Sequence, residues 1–207
     1  MIGLIGYKGA GKDTVGAILG GGSVTVPGKD GAPAQTTLFP SVDKVHVVAL
    51  GDALREVTST LYGIPIEDFT NRETKDTVRP DLGLSPRQAM RAVGQHMRKM
   101  DPEIWTRAVF RKVKDLPDDH TVVITDLRDR ADMNLIRANG GEIWAVYRPG
   151  MVFDGHETEI LPLFPRVAKR VIWNGGTVAD LAARVRDPSK DRPFAVSVVL
   201  RSEEHTS

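Results

Sequence analysis

The chain has 207 residues and no cysteine. That excludes a disulfide framework and any thiolate metal site. Net charge is almost absent too: 28 Lys and Arg against 27 Asp and Glu leave +1. There is no global basic field of the kind a DNA-binding domain presents, so a nucleic-acid duplex is not an expected partner. No apolar run approaches the ~20 residues of a membrane span, so no membrane partner is expected. Met1-Ile2-Gly3-Leu4-Ile5 enters a strand-like run with no basic segment before it. The expectation is no signal peptide and a cytoplasmic protein. The sequence holds no internal repeat, no Ser/His/Asp nucleophile arrangement and no paired glycosidase-type carboxylates. Its five histidines lack metal-binding spacing.

The remainder is ordinary: 41% apolar and 27% charged residues suit a globular domain. A chain this long can bury about 70% of its unfolded surface. Apolar strand-like runs at 2–5, 45–50, 121–125, 143–147 and 171–173 alternate with helical patterns, and the near-continuous run at 45–50 reads as a parallel strand covered on both faces. The helices are expected at 12–19, 52–62, 85–100, 101–114, 133–139 and 178–186, the second with Leu54, Val57, Thr58 and Leu61 on one apolar stripe. This alternation predicts an α/β fold, a parallel sheet flanked by helices on both faces, with ligands at the carboxyl ends of the strands. One domain is expected over 1–186, carrying a Gly/Pro/Ser/Thr-rich excursion at 20–43 that reads as a hairpin outside the core. Residues 187–200 are an unassigned tail with a strand-like run from Phe194 to Leu200. Residues 201–207 resemble the translation of a sequencing adapter and are set apart as a fusion scar would be.

Gly6-Tyr7-Lys8-Gly9-Ala10-Gly11-Lys12-Asp13-Thr14 lies between a predicted strand and a predicted helix. That is the context of a phosphate-binding Walker A loop. Glycines let backbone N–H groups curl round phosphate oxygens, the helix N-terminus adds partial positive charge, and Lys12 reaches the terminal phosphates. The position after the lysine normally carries Ser or Thr as a Mg²⁺ ligand. Here it is Asp13, so either Asp13 holds the metal's water shell or Thr14 takes over. Val122-Val123-Ile124-Thr125-Asp126 resembles a Walker B strand, placing Asp126 to orient Mg²⁺; a helix cap or a salt bridge to Arg128 is the alternative.

Residues 84–114 carry eight basic and two acidic side chains, a local excess of six positive charges. Within the 85–100 helix, Arg87, Arg91, Gly94 and Arg98 fall within roughly 60° of one another. Met90, Val93, Met97 and Met100 fall opposite, so one face is expected to be core and the other an arginine stripe with a glycine gap. Arginine forks suit phosphate oxygens, and the gap would let a ligand approach the backbone. A solvated surface is the alternative. Asp52, Arg55, Arg72, Lys75 and Arg128, taken singly, read equally as surface charge or as ligand contacts. Trp105 reads first as core and second as a base-stacking side chain.

Together these motifs resemble the bacteriophage deoxynucleoside monophosphate kinases of the P-loop superfamily. The likeness rests on Gly11-Lys12-Asp13-Thr14, Leu50-Gly51-Asp52-Ala53-Leu54-Arg55-Glu56, Arg72 with Lys75, and Ser85-Pro86-Arg87-Gln88. It continues through Val93-Gly94, Arg98, Trp105, Ile124-Thr125-Asp126-Leu127-Arg128, Gly140-Gly141, Arg148-Pro149, His156 with Glu159, and Ile172-Trp173-Asn174-Gly175-Gly176-Thr177. The resemblance implies transfer of the ATP γ-phosphoryl group to a deoxynucleoside 5′-monophosphate, with Mg²⁺. ATP would be bound by Gly9, Ala10, Gly11, Lys12, Asp13, Thr14, Arg148, Asn174, Gly176 and Thr177. The acceptor would meet Asp52, Arg55, Arg72, Lys75, Arg87, Gln88, Gly94, Arg98, Trp105 and Arg128. Lys12, Asp126 and Arg128 would be catalytic, Asp13, Thr14 and Asp126 would attend the metal, 51–114 would be the acceptor-binding helical region, and 149–165 a lid-like loop. Gln95 departs from the small polar residue expected after the glycine, and the 20–43 excursion could reach over the site. If phage-encoded, the protein would work in the host cytoplasm; a homodimer is left open. The alternatives are another P-loop small-molecule kinase, of dephospho-coenzyme A or phosphomevalonate type, or a non-catalytic nucleotide-binding regulator.

Overall fold

The computed structural model describes residues 1–28, 32–71, 73–151 and 167–190. Arg72, the turn at 29–31, the 152–165 part of the expected lid with His156 and Glu159, the run from Phe194 to Leu200 and the adapter-like end lie outside the described residues.

Five short aliphatic strands form one sheet: β1 (Ile2–Ile5), β4 (Val45–Val48), β5 (Thr121–Ile124), β6 (Glu142–Tyr147) and β7 (Arg170–Trp173), in the order β4-β5-β1-β6-β7. β1 runs parallel to β5 and β6, and β6 parallel to β7. A separate antiparallel hairpin, β2 (Gly22–Val26) with β3 (Gln35–Phe39), occupies the predicted excursion. Helices α1 (Lys12–Gly20), α5 (Arg130–Ala138) and α6 (Val178–Arg186) accompany the sheet. The fold is thus α/β, a parallel sheet flanked by helices.

Alternation along the strands explains the layers. Leu4, Val123, Val146 and Ile172 point one way and join Val15 and Ile18 of α1 and Leu181 and Val185 of α6 in one buried cluster. Ile5, Ile143 and Ala145 point the other way and are also buried, with α5 packed on β1 and β6. Each buried aliphatic side chain contributes ~1.5–3 kcal/mol. β4 is an edge strand with an exposed Val47, not the doubly covered strand expected. It is tied to the start of β5 by the Thr121 N–H donating to the Lys44 carbonyl (2.6 Å) and by a hydrogen bond between His46 and His120 (2.7 Å).

The chain divides into two compact units, Met1–Val47 with the chain from Pro117 onward, and Val48–Leu116. The second is helical: α2 (Leu50–Tyr62), a 3₁₀ turn (Ile66–Phe69), α3 (Pro86–Met100) and α4 (Ile104–Val113). Ser85 caps α3: its side chain accepts from the Gln88 N–H, and Gln88 reciprocates on the Ser85 N–H, with Pro86 in the first turn. The helix expected from Asp101 starts three residues later. Asp101 Oδ1 accepts from the Glu103 N–H (3.0 Å) and its carbonyl from the Ile104 N–H (3.2 Å), so a tight turn precedes α4.

Candidate functional site

The loop at residues 6–11 leaves the carboxyl end of β1, the central strand, where successive connections part to opposite sides of the sheet. Open parallel sheets bind ligands at such a switch point. The Ala10 N–H donates to the Tyr7 carbonyl (3.0 Å) and closes the loop, and the Val15 N–H donates to the Gly11 carbonyl (2.9 Å) as α1 begins. Lys12 Nζ folds back and donates to the carbonyls of Gly6 (2.6 Å) and Tyr7 (3.0 Å). Gly11 stands at the helix N-cap with φ 103° and provides no side-chain cap. A side chain there would be strained by the positive φ, and its Cβ would lie 2.5 Å from Asn174 Nδ2.

The far strands complete the surroundings. Asn174, just past β7, donates from Nδ2 to the Ala10 carbonyl (2.8 Å), and its own N–H donates to the Tyr147 carbonyl (2.7 Å). Arg148, just past β6, donates to the Gly9 carbonyl at 3.5 Å. Thr177 caps α6. Its N–H (2.9 Å) and hydroxyl (2.7 Å) both donate to Asp180 Oδ2 and hold that carboxyl below the usual carboxylate range.

A cavity of about 430 Å³ opens among these residues. It is lined by Gly9, Gly11, Lys12, Asp13, Thr14, Arg148, Asn174, Gly176 and Thr177, together with Val178 and Leu181 of α6 and residues 24–27 of the hairpin. Nine of the ten residues expected around ATP therefore share one cavity. The tenth, Ala10, is fully buried and serves the loop's packing. The excursion at 20–43, which could reach over the site, does bring residues 24–27 of its hairpin to this cavity.

Asp126 and Arg128 are not among the residues lining this cavity. By strand register, Gly3 of β1 lies beside Ile124 of β5, which puts the half-buried Asp126 at the sheet's carboxyl edge, level with the end of β1. Arg128 is exposed, and its backbone N–H donates to Asp132 Oδ2 (3.0 Å). The fully buried Asp132 also accepts from the Asp129 N–H (3.2 Å), and its own N–H donates to Asp129 Oδ1 (3.0 Å). The Asp-x-x-Asp spacing at the start of α5 signals that cap.

In the helical unit the structure alters several expectations. Gly94 is buried, and a Cβ there would lie 3.0 Å from Leu54 Cδ2. The gap in the arginine stripe is filled by helix–helix packing and is not open to a ligand. Trp105 is only 4% exposed, which corrects the stacking role; its indole N–H meets no hydrogen-bond partner among the described residues. Gln88 spends its Oε1 on the Ser85 N–H (2.8 Å). Met100, expected in the core, is 73% exposed, and Val57 and Leu61 of α2's expected apolar stripe are exposed too.

Several basic side chains here are paired. Arg55 meets Asp52, whose Oδ2 also accepts from the Ala49 N–H (2.9 Å). Arg87 forks onto Asp76, and its backbone N–H donates to the Lys75 carbonyl (3.0 Å), which ties the start of α3 to the 75–76 segment. Arg98 donates to the Pro102 carbonyl (3.1 Å). Arg107 meets both Asp101 and Glu103, and holds the Asp101 carboxyl below its usual range. Asp76 carries no motif signal and is found only through the fold.

Among the described residues no helix is long and apolar enough to cross a membrane. No protein-family model matches the chain. Over 113 residues it is 28% identical to the uncharacterized protein ORF76 of Ictalurid herpesvirus 1 (strain Auburn), a match covering 51% of this chain and 46% of that protein. The match thus spans less than half the length of that relative. Among solved structures, the crystal structure of TT1252 from Thermus thermophilus is 17% identical, with a TM-score of 0.40 over 100% of this chain and 97% of that one, a likeness too slight to carry an argument.

Proposed function

We propose that the protein is an ATP-dependent kinase that phosphorylates a deoxynucleoside 5′-monophosphate. One observation carries the reading: the glycine loop, Lys12, Arg148 and the Asn174–Thr177 turn line a single cavity at the switch point of the sheet. Glycine backbone, helix N-terminus and two cations form a receptor for a polyphosphate.

In the proposed reaction an oxygen of the acceptor monophosphate attacks the γ-phosphorus of ATP. The bond from that phosphorus to the β,γ-bridging oxygen breaks, giving a diphosphate and ADP. A phosphate monoester has its second pKa at about 6 and is already anionic at neutral pH, so no general base is needed. The protein's task is to align two polyanions and neutralise them. Lys12 would exchange its two carbonyl partners for β- and γ-phosphate oxygens. Arg87 and Lys75 would hold the acceptor phosphate. Asp13, exposed, and Thr14, half-buried, both line the cavity and offer hard oxygen donors, with Asp126 at the neighbouring strand end; this donor set fits Mg²⁺. When bound, Mg²⁺ would neutralise charge on the β- and γ-phosphates.

A second reading draws on Gly94 and Trp105. With the glycine covered by Leu54 and the ring buried, neither is free to receive a base, and this favours a P-loop kinase acting on another small acceptor. A panel of nucleoside and deoxynucleoside monophosphates with Mg·ATP separates the two. ADP released only with a deoxynucleotide supports the first reading; ADP released with none of the panel ends it.

A further inference from the structure

The β2–β3 hairpin has no part in the proposed transfer, yet it lines the cavity with residues 24–27. Its register runs from Gly22 opposite Phe39 to Val26 opposite Gln35, and the Thr25 and Thr36 hydroxyls hydrogen-bond across it (2.9 Å). Its base is anchored: Phe39 packs on the buried cluster, with the Arg186 guanidinium 5.9 Å from the centre of its ring. Val24 and Val26 lie two residues apart and so share one face of the ribbon.

The lining has two kinds of chemistry. Gly9, Gly11, Lys12 and Arg148 offer N–H groups and positive charge, suited to oxyanions. Val24, Val26, Pro27, Val178 and Leu181 offer hydrocarbon. An inorganic polyphosphate gains nothing from the second set, because it has no hydrocarbon part and its surface is charged, solvated oxygen. A nucleoside triphosphate gains from both, since its phosphates carry a sugar and a flat, largely uncharged base.

We infer that the hairpin is a wall of the phosphate-donor site, against which the nucleoside end of the triphosphate packs. Val24, Val26 and Pro27 are the contacts by which the site distinguishes a nucleoside triphosphate from a bare polyphosphate. This rests on the reading that the loop at residues 6–14 holds the donor phosphates.

The test measures binding of ATP and of inorganic tripolyphosphate to the full chain by calorimetry. The wild-type protein is expected to bind both, ATP more tightly. In Val24→Ser/Val26→Ser the ATP affinity falls roughly tenfold, while the tripolyphosphate affinity changes less than about twofold. A second variant joins Ser23 to Leu38, cross-strand neighbours, through an Asn-Gly turn and should show the same split. Hydrogen exchange supplies a readout without substitution: ATP should protect the β2 amides and tripolyphosphate should not. Unchanged ATP affinity in the double variant, or equal protection by the two ligands, overturns the hairpin's role while leaving the loop reading intact. Binding of neither ligand by the wild-type protein overturns the loop reading, and the inference with it.

Discussion

Two sets of cationic side chains serve the proposed reaction, and they are held differently. Around the β1–α1 loop, Lys12 rests on two backbone carbonyls and Arg148 reaches a third. In the helical unit Arg55 and Arg87 are each committed to a carboxylate. A carbonyl is a neutral dipole, and an incoming phosphate oxygen replaces it with gain of charge complementarity. A carboxylate already supplies that charge, so an acceptor phosphate must displace it or share the arginine. The pairs are partly exposed, and such pairs are worth only ~0–1 kcal/mol, so they can be opened. On the proposed reading, the loop carbonyls would give way to ATP phosphate oxygens, and the arginines would leave or share their carboxylates when the acceptor phosphate binds.

Substitution of Lys12 strikes that contrast hardest. Lys12→Ala should lower turnover about a hundredfold or more, since a cation aimed at developing phosphate charge is lost, with little change in fold by circular dichroism. Near-wild-type activity would remove the loop from the mechanism. Arg87→Ala should raise the acceptor KM about tenfold and leave the ATP KM unchanged in initial-rate kinetics. Equal effects on both would place Arg87 outside the acceptor site. Asp76→Asn sharpens the comparison in the other direction: freeing Arg87 from its carboxylate should lower the acceptor KM by roughly twofold to fivefold. A raised KM would mean that Asp76 orients Arg87 and does not compete for it.

The smallest effect is expected at the α6 cap. Thr177→Ala should cost about 1 kcal/mol in denaturant unfolding. Its partner Asp180 has a carboxyl held below its ordinary value by the Thr177 N–H and hydroxyl. A depressed carboxyl stabilises the fold above its unfolded pKa and loses that contribution as the pH falls through its folded value. The stability gap between the wild-type protein and Asp180→Asn should therefore be widest near neutrality and close below about pH 4.

The glycine loop after Ile5 and the strand ending at Ile124 are legible in the sequence because composition and period are local properties. So is the α3 cap, which Ser85, Pro86 and Gln88 spell out. The helical region is harder for a physical reason. Angular position on a helix says which residues share a face, not which face the rest of the fold covers. Gly94 lies among the arginines by angle, yet Leu54 packs on it. Leu61, on α2's predicted apolar stripe, is 66% exposed. Asp76 reaches Arg87 from eleven residues away, and the hairpin comes to the cavity after leaving the far end of α1; both depend on tertiary placement. Edge position also escaped the sequence, since Val45–Val48 has the aliphatic run of a covered strand but one neighbour only.

Phosphorus NMR of one mixture tests the central claim most directly: the protein, Mg·ATP and a deoxynucleoside monophosphate that stimulates ADP release. The γ-phosphate signal of ATP should decline while the β-phosphate signal of a new deoxynucleoside diphosphate grows in equal amount, with no net inorganic phosphate. An unchanged ATP spectrum with every monophosphate tried, or growth of inorganic phosphate alone, would contradict it.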